Sequence, residues 1–351
     1  LPLVGGLLNV DAGGPAVAEG GVRPASEDVA DLFHANSGYF AELEAAAEEI
    51  RRAMDVEGAC DYGSLIQCLA RDHGITVRIV PHREGGGAGD WYDPGARRLD
   101  LSEMLTPEAR SFRVARRLAM LRGEERIERR LEGGRFSSPE ARALARAALG
   151  DYLADAVMMP YAAFLAAARE FRHDLDRLRR RFGTGLERVC RRLTTLQRPG
   201  AKGIPFHLVR VDMAGNVTWR FSASGLRIAR FGGVCPLWNL HAAFLTPGIA
   251  RTQLSRMPDG TRYFSIARTL DGDAPPTRRS PRLSAIELGC EVSFAGDIAD
   301  ADGMNLGDGN AAVPIGTTCR LCERTDCPER VLPPFRQPLA ADLAGPPTAA
   351  P

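Results

Sequence analysis

Apolar residues recur at helical spacing through the first half of the chain and at strand spacing after that. From Ser37 onward they fall three or four positions apart, which is the spacing of the buried face of a helix. The first such face comprises Phe40, Leu43, Ala47 and Ile50. A second helix is predicted over about 62–72, and the alternating run 76–80 predicts a strand. A partner strand near 96–101 would then close a hairpin after the glycine-rich run 84–90.

A long helical block is predicted from Thr106 to about Gln197. Two of its helices have a strong N-terminal signal, a Ser or Thr followed by Pro and Glu, at 106–108 and at 138–140. Pro160 should interrupt the second of these helices, because proline has no N–H to donate to the preceding turn.

The period of the apolar residues changes to two after the Gln-Arg-Pro-Gly run at 197–200. Strands are predicted at 206–211 and 217–221, and the Gly-Asn pair between them is a hairpin signal. Further strands are predicted at 226–231 and 262–267.

These patterns predict an α+β fold with a mainly helical domain, a mixed, sheet-centred domain and a Cys-rich tail. We expect a Gly/Ala/Pro-rich linker or arm over 1–25 and the helical domain over 26–198. The sheet-centred domain would then span 199–300 and the tail 301–351.

The composition is that of a soluble globular protein. Of the 351 residues, 25% are charged and 44% are hydrophobic, and the net charge of +1 argues against a nucleic-acid footprint over the whole chain. The apolar runs do not reach the roughly 18–20 residues that a membrane span needs. Eight cysteines without a secretion signal favour a reducing compartment, so we expect a cytoplasmic protein with metal or redox chemistry.

Cysteines near the C-terminus predict a metal site. Cys319, Cys322 and Cys327 lie within nine residues, Pro328 follows the last of them, and Cys290 is a distant fourth thiol. Such a set suits a four-coordinate soft metal site, either Zn(Cys)4 or an iron–sulfur cluster. The Cys-x2-Cys-x4-Cys spacing favours the cluster, since zinc ribbons use two paired CxxC motifs. Zinc and disulfides or free thiols remain as alternatives.

A series of short motifs carries a family resemblance. The motifs occupy Leu153–Phe164, Arg181–Gly183, Cys190–Gly200, Val209–Asn216, Gly232–Trp238, Met257–Gly260, Leu288–Cys290 and Cys319–Arg330. Together, and in this order, they resemble the short-chain fatty acyl transcriptional regulators. The resemblance covers residues 26–340.

The resemblance implies a sensor of propionate, methylcitrate or acetate metabolism, and not an enzyme. It implies an acyl-CoA ligand and a [4Fe–4S] cluster held by Cys290, Cys319, Cys322 and Cys327. It also implies that DNA is bound by an N-terminal helix-turn-helix domain, which we do not expect in this chain. A homodimer is plausible by the same analogy, and no membrane partner is expected.

The helical part resembles a degenerate zinc-peptidase domain of the ImmA/IrrE kind. Such peptidases carry an HExxH motif, in which two His bind zinc and the Glu is the general base. The three positions of that motif fall on Arg116, Arg117 and Met120, and the downstream acidic ligand falls near Ala147. These residue types do not bind zinc, so the resemblance excludes hydrolysis by this route and implies a scaffold reused for binding.

An acyl-CoA ligand would need cations for its phosphates and apolar or aromatic groups for its acyl arm and adenine. Arg191, Arg198 and Lys202 lie at the predicted domain boundary, where ligand sites are common. The full set of candidate contacts is Arg191, Arg198, Lys202, Arg210, Arg220, Arg230, Trp219, Trp238 and His241. The simpler interpretation is that helix arginines form i,i+4 pairs with acidic neighbours, and that the aromatic residues belong to the core.

Two other functions fit parts of the pattern. An iron–sulfur enzyme acting on acyl-CoA is one, but catalytic clusters often leave one iron without a cysteine, whereas four cysteines would saturate the cluster. A zinc-stapled interaction domain without a small ligand is the other.

Overall fold

The structure, a computed structural model, describes residues 24–56, 58–81, 89–230, 233–270 and 283–334. The predicted arm lies outside these ranges except for its last two residues, and Ala25 already begins the first helix. Within the described ranges, no helix combines the length and the apolar character that crossing a membrane requires.

Helices dominate the described chain up to Thr194. They are α1 (Ala25–Ala35), α2 (Ala41–Met54), α3 (Tyr62–His73), α4 (Pro107–Arg122), α5 (Glu124–Glu132), α6 (Pro139–Met158), α7 (Tyr161–Glu170), α8 (Leu175–Phe182) and α9 (Leu186–Thr194). The apolar pattern does not reveal α1, because the acidic residues Glu27 and Asp28 are buried on it beside Val29 and Phe33.

The predicted helix starts are confirmed. Thr106 Oγ1 accepts a hydrogen bond from the Ala109 N–H at 3.2 Å, and Ser138 Oγ accepts one from the Ala141 N–H at 3.1 Å. Each hydroxyl thereby satisfies one of the backbone donors that the first turn of a helix leaves without a partner. Helix α6 ends at Met158, just before Pro160, as predicted.

A small three-stranded sheet lies among the helices, and the hairpin predicted there is wrong in its topology. The sheet comprises β1 (Thr76–Val80), β2 (Asp90–Asp93) and β3 (Arg98–Ser102) in the order β1-β3-β2. Strand β1 runs parallel to β3, and the antiparallel partner of β3 is β2. The four residues 94–97, which include Pro94 and Gly95, make the tight turn of the real hairpin.

A six-stranded sheet forms the second half of the described chain. Its order is β5-β4-β8-β7-β6-β9, and all neighbours are antiparallel except β6 and β9. The strands are β4 (His207–Asp212), β5 (Val217–Ser222), β6 (Arg251–Arg256), β7 (Arg262–Leu270), β8 (Ser284–Glu291) and β9 (Val313–Pro314), and a short helix, α10 (Asn239–Ala242), precedes β6.

The β4–β5 hairpin and β7 confirm three predicted strands. The strand predicted over 226–231 is wrong for Leu226–Arg230, which pairs with no strand, and Phe231 lies outside the described residues. Leu226 and Ile228 are apolar because they are buried in the core, where they produce the same alternation as a strand.

The large sheet has a different apolar core on each face. Leu208, Phe264, Leu288 and Cys290 face the helical part and join a core that runs through the helices. On the other face, a smaller core comprises Val209, Val211, Leu226, Ile228, Val234, Cys235, Trp238, Leu240, Ala243, Met257, Tyr263, Ala267, Ala285 and Ile315. The face on which a residue lies therefore decides which other parts of the chain it can contact.

A buried ion pair joins the helices at the centre of the larger core. Arg192 on α9 donates two hydrogen bonds to the carboxylate of Glu44 on α2, at 2.6 and 2.9 Å, and a third to the Met159 carbonyl at 2.9 Å. The Tyr152 hydroxyl donates to the same carboxylate at 2.6 Å. Burial alone would raise the pKa of Glu44, but the charge and hydrogen bonds of Arg192, the Tyr152 hydroxyl and the charge of Arg198 together outweigh it, and the pKa ends below its ordinary value. The pair therefore stays ionised in the core.

Replacing Arg192 with Met should destabilise the fold by about 3–5 kcal/mol, because it leaves the Glu44 carboxylate buried without its cation. Urea unfolding followed by circular dichroism would measure the change. Arg129→Met is the matched control, since Arg129 pairs with Glu125 on the exposed surface of α5 and its loss should cost far less. Similar losses of unfolding free energy in both variants would show that the buried pair contributes no more to stability than the exposed one.

Candidate functional site

Three of the predicted cysteine ligands lie on one loop that follows β9. The Cys322 N–H donates to the Thr318 carbonyl at 2.9 Å, which closes the first turn of the loop. The Arg330 guanidinium donates to the carbonyls of Cys319 at 2.8 Å and Cys322 at 3.1 Å, and also to that of Arg324. The thiol-bearing segment is thus folded around one arginine. Cys322 is buried, whereas Cys319 and Cys327 are half-buried.

The fourth thiol beside this loop belongs to Cys235. Its N–H donates to the Thr317 carbonyl at 3.1 Å, and the Trp238 indole donates to the Gly316 carbonyl at 3.0 Å. Burial raises the pKa of Cys235, the nearby Cys319 and Cys322 raise it further, and hydrogen bonds from the backbone of Gly316 and Leu237 oppose the rise. A side chain at Gly316 would begin 2.7 Å from the Cys322 sulfur, so glycine lets the start of the loop pack closely against Cys322.

The structure places Cys290 on the other face of the sheet, and its role as a ligand stays a prediction. Cys290 pairs with Phe264 in register, and both belong to the core on the helical face of the sheet, opposite the face that carries Cys235. Burial, followed by the charges of Glu291 and Asp297, raises the pKa of the Cys290 thiol to about 12. Such a thiol behaves as a small apolar residue.

A sequence signal for Cys235 does exist. Pro236 follows it as Pro328 follows Cys327, and a Cys-Pro pair also ends the cysteine run of bacterial ferredoxins. The signal is weak by itself, since only the fold shows which distant cysteine shares a sheet face with the loop.

The gathered thiols do not form a closed ligand set. Within the ranges that the structure describes, no three His, Cys, Asp or Glu side chains are arranged so that they could hold a metal ion. The donor chemistry nevertheless fits a thiolate-bound metal or cluster, because Cys235 lies near Cys319 and Cys322 of the loop and backbone N–H groups point at its sulfur.

The degenerate peptidase positions meet in one cleft. Arg116, Arg117, Met120 and Ala147 line a cavity of about 480 Å³ between α4 and α6, as the alignment with the HExxH motif predicts. Gly150 is required beside it, since a side chain there would collide with the Met120 sulfur. A guanidinium or a thioether in place of imidazole and carboxylate leaves the motif positions of the cleft without zinc ligands.

A chain of alternating charges leads from this cleft into the core. Arg116 binds Asp151 at 2.6 Å, and Arg188 bridges Asp151 and Asp155 at 3.3 Å each. Glu187 precedes Arg188 on α9, and its carboxylate binds Arg210 on β4 of the large sheet. The cleft and the sheet are therefore linked through charges on α6 and α9.

The predicted phosphate contacts at the sheet are paired with carboxylates of the helical part. Glu187 accepts from Arg191 at 2.7 Å and from Arg210 at 3.2 Å, and Arg191 lies 3.9 Å from the ring centroid of Trp219. Burial would raise the pKa of Glu187, but Arg191, Arg188 and Arg210 together lower it to about 2. These arginines thus join α9 to β4.

A second carboxylate group holds the next two arginines. Glu27 on α1 accepts from Arg220 at 2.7 Å and from Arg230 at 3.4 Å, and Arg230 also donates to Asp31 at 3.0 Å. Arg210, Arg220 and Arg230 therefore join the sheet part to carboxylates of the helices, and Arg191 on α9 reaches the sheet through Trp219.

The other predicted contacts are spread over different environments. Arg198 donates to the Tyr39 hydroxyl at 3.0 Å and stacks over Tyr161, and Lys202 is exposed. Trp238 is buried in the smaller core. Burial lowers the pKa of His241, against smaller opposing effects from Glu287 and from the carbonyls beside Cys235. The structure does not gather these four residues with the sheet arginines, and their contact with a ligand stays a prediction.

Two protein-family models match successive parts of the chain. Residues 70–194 match the IrrE N-terminal-like domain, and residues 195–347 match the short-chain fatty acyl coenzyme A regulator, C-terminal. These matches confirm the predicted α+β fold with a helical, peptidase-like domain before the sheet.

Curated relatives align with nearly the whole of this chain. The propionyl-CoA carboxylase regulator of Cereibacter sphaeroides is 39% identical over 330 residues, covering 92% of this chain and 68% of that protein. The HTH-type transcriptional regulators RamB and PrpR of Mycobacterium tuberculosis are 37% and 38% identical, covering 92% and 93% of this chain and 68% of each regulator. A solved structure titled Mycobacterium tuberculosis transcriptional regulator has a TM-score of 0.86 at 35% identity, covering 92% of this chain and 98% of that one.

Fold and relatives thus define a transcriptional regulator built on a peptidase-like scaffold that has lost its zinc ligands, and not an enzyme. The chain belongs to the short-chain fatty acyl coenzyme A regulator family, as the resemblance of its motifs predicts.

The buried carboxyl of Asp155 should make stability fall with rising pH. Burial raises its pKa to about 7, although Arg188 opposes the rise. The unfolded carboxyl titrates near about 4, so the stabilising contribution is full below that value and is lost as the pH rises to about 7. Asp155→Asn should remove this loss. Its stability relative to the wild type should rise between these values by on the order of 3–4 kcal/mol.

Urea midpoints measured from pH 4 to pH 8 (roughly the window set by the two pKa values) would test this. Asp55→Asn is the control, because Asp55 is an exposed helix C-cap in the left-handed region, which Asn tolerates equally well. A difference in urea midpoint between the wild type and Asp155→Asn that stays constant with pH would contradict the raised pKa of Asp155.

Proposed function

We propose that this chain is the effector-sensing part of a transcriptional regulator of short-chain fatty acid metabolism. It binds a short-chain acyl-CoA and a [4Fe–4S] cluster, and it acts in the cytoplasm on DNA through a helix-turn-helix domain outside this sequence. The description of the matching family and the printed names of the relatives support the metabolic assignment.

The cluster would be held by Cys235, Cys319, Cys322 and Cys327. The observation that carries this proposal is the position of Cys235 beside Cys319 and Cys322 on one face of the sheet, reached from two separate segments. Three cysteines of one loop and one from elsewhere in the chain are a common ligand pattern for iron–sulfur proteins.

The surroundings of the thiols suit thiolate ligands. Backbone N–H groups of Gly316 and Leu237 point at the Cys235 sulfur, and hydrogen bonds to ligand sulfurs stabilise the thiolate and help to set a cluster's potential. When bound, such a cluster supplies one-electron redox chemistry or a structural tie. Cys319 and Cys327 are half-buried, so the site is open to solvent on the loop side.

The loop is tied to the sheet at its start and through Arg324, which donates to the Arg256 carbonyl on β6 at 2.8 Å. Arg330 holds its carbonyls together, and Trp238 and Cys235 hold its start through Gly316 and Thr317. A group bound to both Cys235 and the loop would strengthen this attachment, and its loss would weaken it. The loop is therefore the element whose position can report the state of the site.

An acyl-CoA would act by preferring one of two arrangements of this chain, since an effector shifts an equilibrium only by its differential affinity for the two states. The relatives include a regulator named for propionyl-CoA carboxylase, which supports a short acyl chain. The ionic contacts between helices and sheet at Glu27 and Glu187 are the places where two such arrangements would differ.

Cysteine variants should separate the two ligand sets. Cys235→Ser should lose the broad absorption near about 400 nm, together with iron and acid-labile sulfide, because it removes a ligand. Cys290→Ser should retain them, because the Cys290 thiol lies in the core on the opposite face. Both variants and the wild type would be purified anaerobically and assayed for iron, sulfide and zinc.

Cys190→Ser is the matched control for substitution of a buried cysteine, since Cys190 lies among the helices. Loss of the cluster in Cys290→Ser with retention in Cys235→Ser would reverse the assignment. A colourless wild type that contains zinc would reject the cluster and leave a zinc staple on the same cysteines.

Propionyl-CoA should raise the melting temperature of the wild-type protein. A ligand that binds only the folded state adds about 2.7 kcal/mol at one hundred times its Kd. A thermal unfolding series with propionyl-CoA, acetyl-CoA and free propionate would measure the effect. Equal melting temperatures with and without both thioesters would reject acyl-CoA binding, and a rise with propionate alone would place recognition on the acid and not on the coenzyme.

A further inference from the structure

The cleft that replaces the zinc site of a peptidase carries an unusual concentration of arginine. Arg113, Arg116, Arg117 and Arg146 line it, against the carboxylates of Asp90 and Glu124. Four guanidinium groups against two carboxylates leave a net charge of +2 on the lining. Low-dielectric walls concentrate the field of such charges and favour an anion.

Arg117 differs from the other three arginines. Arg113 binds Asp90 at 3.3 Å, Arg116 binds Asp151 at 2.6 Å, and Arg146 binds Glu124 at 2.7 Å. Among the described residues, no carboxylate lies within ion-pair distance of Arg117. Its guanidinium lies 4.0 Å over the Tyr92 ring, and its Nε is buried without a hydrogen-bond partner.

An unpartnered buried guanidinium nitrogen is costly, because nothing replaces the water that it has lost. Burial lowers the pKa of Arg117, Asp90 and Tyr92 oppose this, and its neighbour Arg116 lowers the pKa further. Stacking on Tyr92 fixes the plane of the group, so that its donors face in set directions. The site is therefore arranged for an oxyanion that can accept from a planar fork of donors.

We propose that this cleft binds a ligand bearing a phosphate or diphosphate group, with Arg117 as its main anchor and Arg113 and Arg116 beside it. Phosphate oxygens match the geometry of guanidinium donors, and such charge-assisted bonds are the strong ones. The cavity of about 480 Å³ is of a size that takes a small organic ligand. Met120, Leu121, Ala143 and Ala147 offer apolar surface to the remainder of that ligand.

If the ligand is the diphosphate of coenzyme A, the inference rests on the proposed acyl-CoA binding and assigns its phosphate subsite; if the ligand is a free phosphate compound, the cleft is a second site. The proposal also concerns the residues that replace the HExxH motif of a zinc peptidase. Of the three motif positions, one ligand position and the general-base position now carry Arg116 and Arg117, and Met120 and Ala147 are neutral, so the cleft offers charge to an anion where a peptidase binds a metal ion.

Calorimetric titration of the full chain with sodium pyrophosphate and, separately, with coenzyme A would test the proposal. Pyrophosphate should bind the wild type, and Arg117→Gln should weaken that binding about tenfold or more, since a charge-assisted hydrogen bond is lost. Arg180→Gln is the matched control, because Arg180 is exposed on α8 outside the cleft and its loss removes the same charge. Circular dichroism would confirm that each variant is folded.

Ala147→Glu provides a second test that leaves Arg117 in place. It puts a carboxylate into the cleft, which should compete for Arg117 and weaken pyrophosphate binding to a similar extent. Parallel loss of coenzyme A binding in both variants would identify the coenzyme's diphosphate as the source, whereas unchanged coenzyme A binding would identify free phosphate compounds. Absence of pyrophosphate binding at millimolar concentration, or equal binding by wild type and Arg117→Gln, would overturn the proposal whatever happens to acyl-CoA sensing.

Discussion

The buried pair of Glu44 and Arg192 is the contact on which the helical part depends. It joins α2 to α9 and, through the Met159 carbonyl, to the end of α6, and its members are 3% and 1% exposed. Two charges at such depth are tolerated only when every oxygen and nitrogen has a partner, and Tyr152 and Thr195 supply the remaining ones. Because α9 leads directly into the sheet, this pair also fixes where the sheet begins.

The helices and the sheet are also joined by pairs of a carboxylate and an arginine, but these pairs are less deeply buried. Glu27 holds Arg220 and Arg230 from the sheet and its connections, and Glu187 holds Arg210 of β4 together with Arg191 of its own helix. Arginine is suited to this, since its fork of donors can serve two acceptors and its plane can stack on a ring such as Trp219. An Arg on a strand predicts an anionic partner, and here that partner is a carboxylate of this chain. Sequence cannot distinguish it from a ligand's phosphate.

Local signals predicted their elements well. The caps at Thr106 and Ser138 and the β4–β5 hairpin depend on residues a few positions apart, and they are confirmed. Strand β8 has no such signal, because it is buried on both faces and therefore lacks alternation. Local signals also cannot choose between Cys235 and Cys290 as the fourth ligand. That choice depends on the face of the sheet on which each cysteine lies, and only the long-range pairing of the strands decides it. The parallel pairing of β1 with β3 is nonlocal in the same way.

The cleft and the thiol site lie on different sides of the large sheet, yet one series of charges leads from the first toward the second. Arg116 and Arg188 share Asp151, and Glu187 beside Arg188 binds Arg210 on β4. An anion that draws Arg116 away from Asp151 leaves that carboxylate to Arg188 and changes the charges that α9 presents to the sheet. Opposite charges within a few ångströms in a partly buried site interact strongly, so a change in the cleft reaches β4 without moving the backbone between them. An anion bound in the cleft, as proposed above, would therefore act on the attachment of the sheet through these charges.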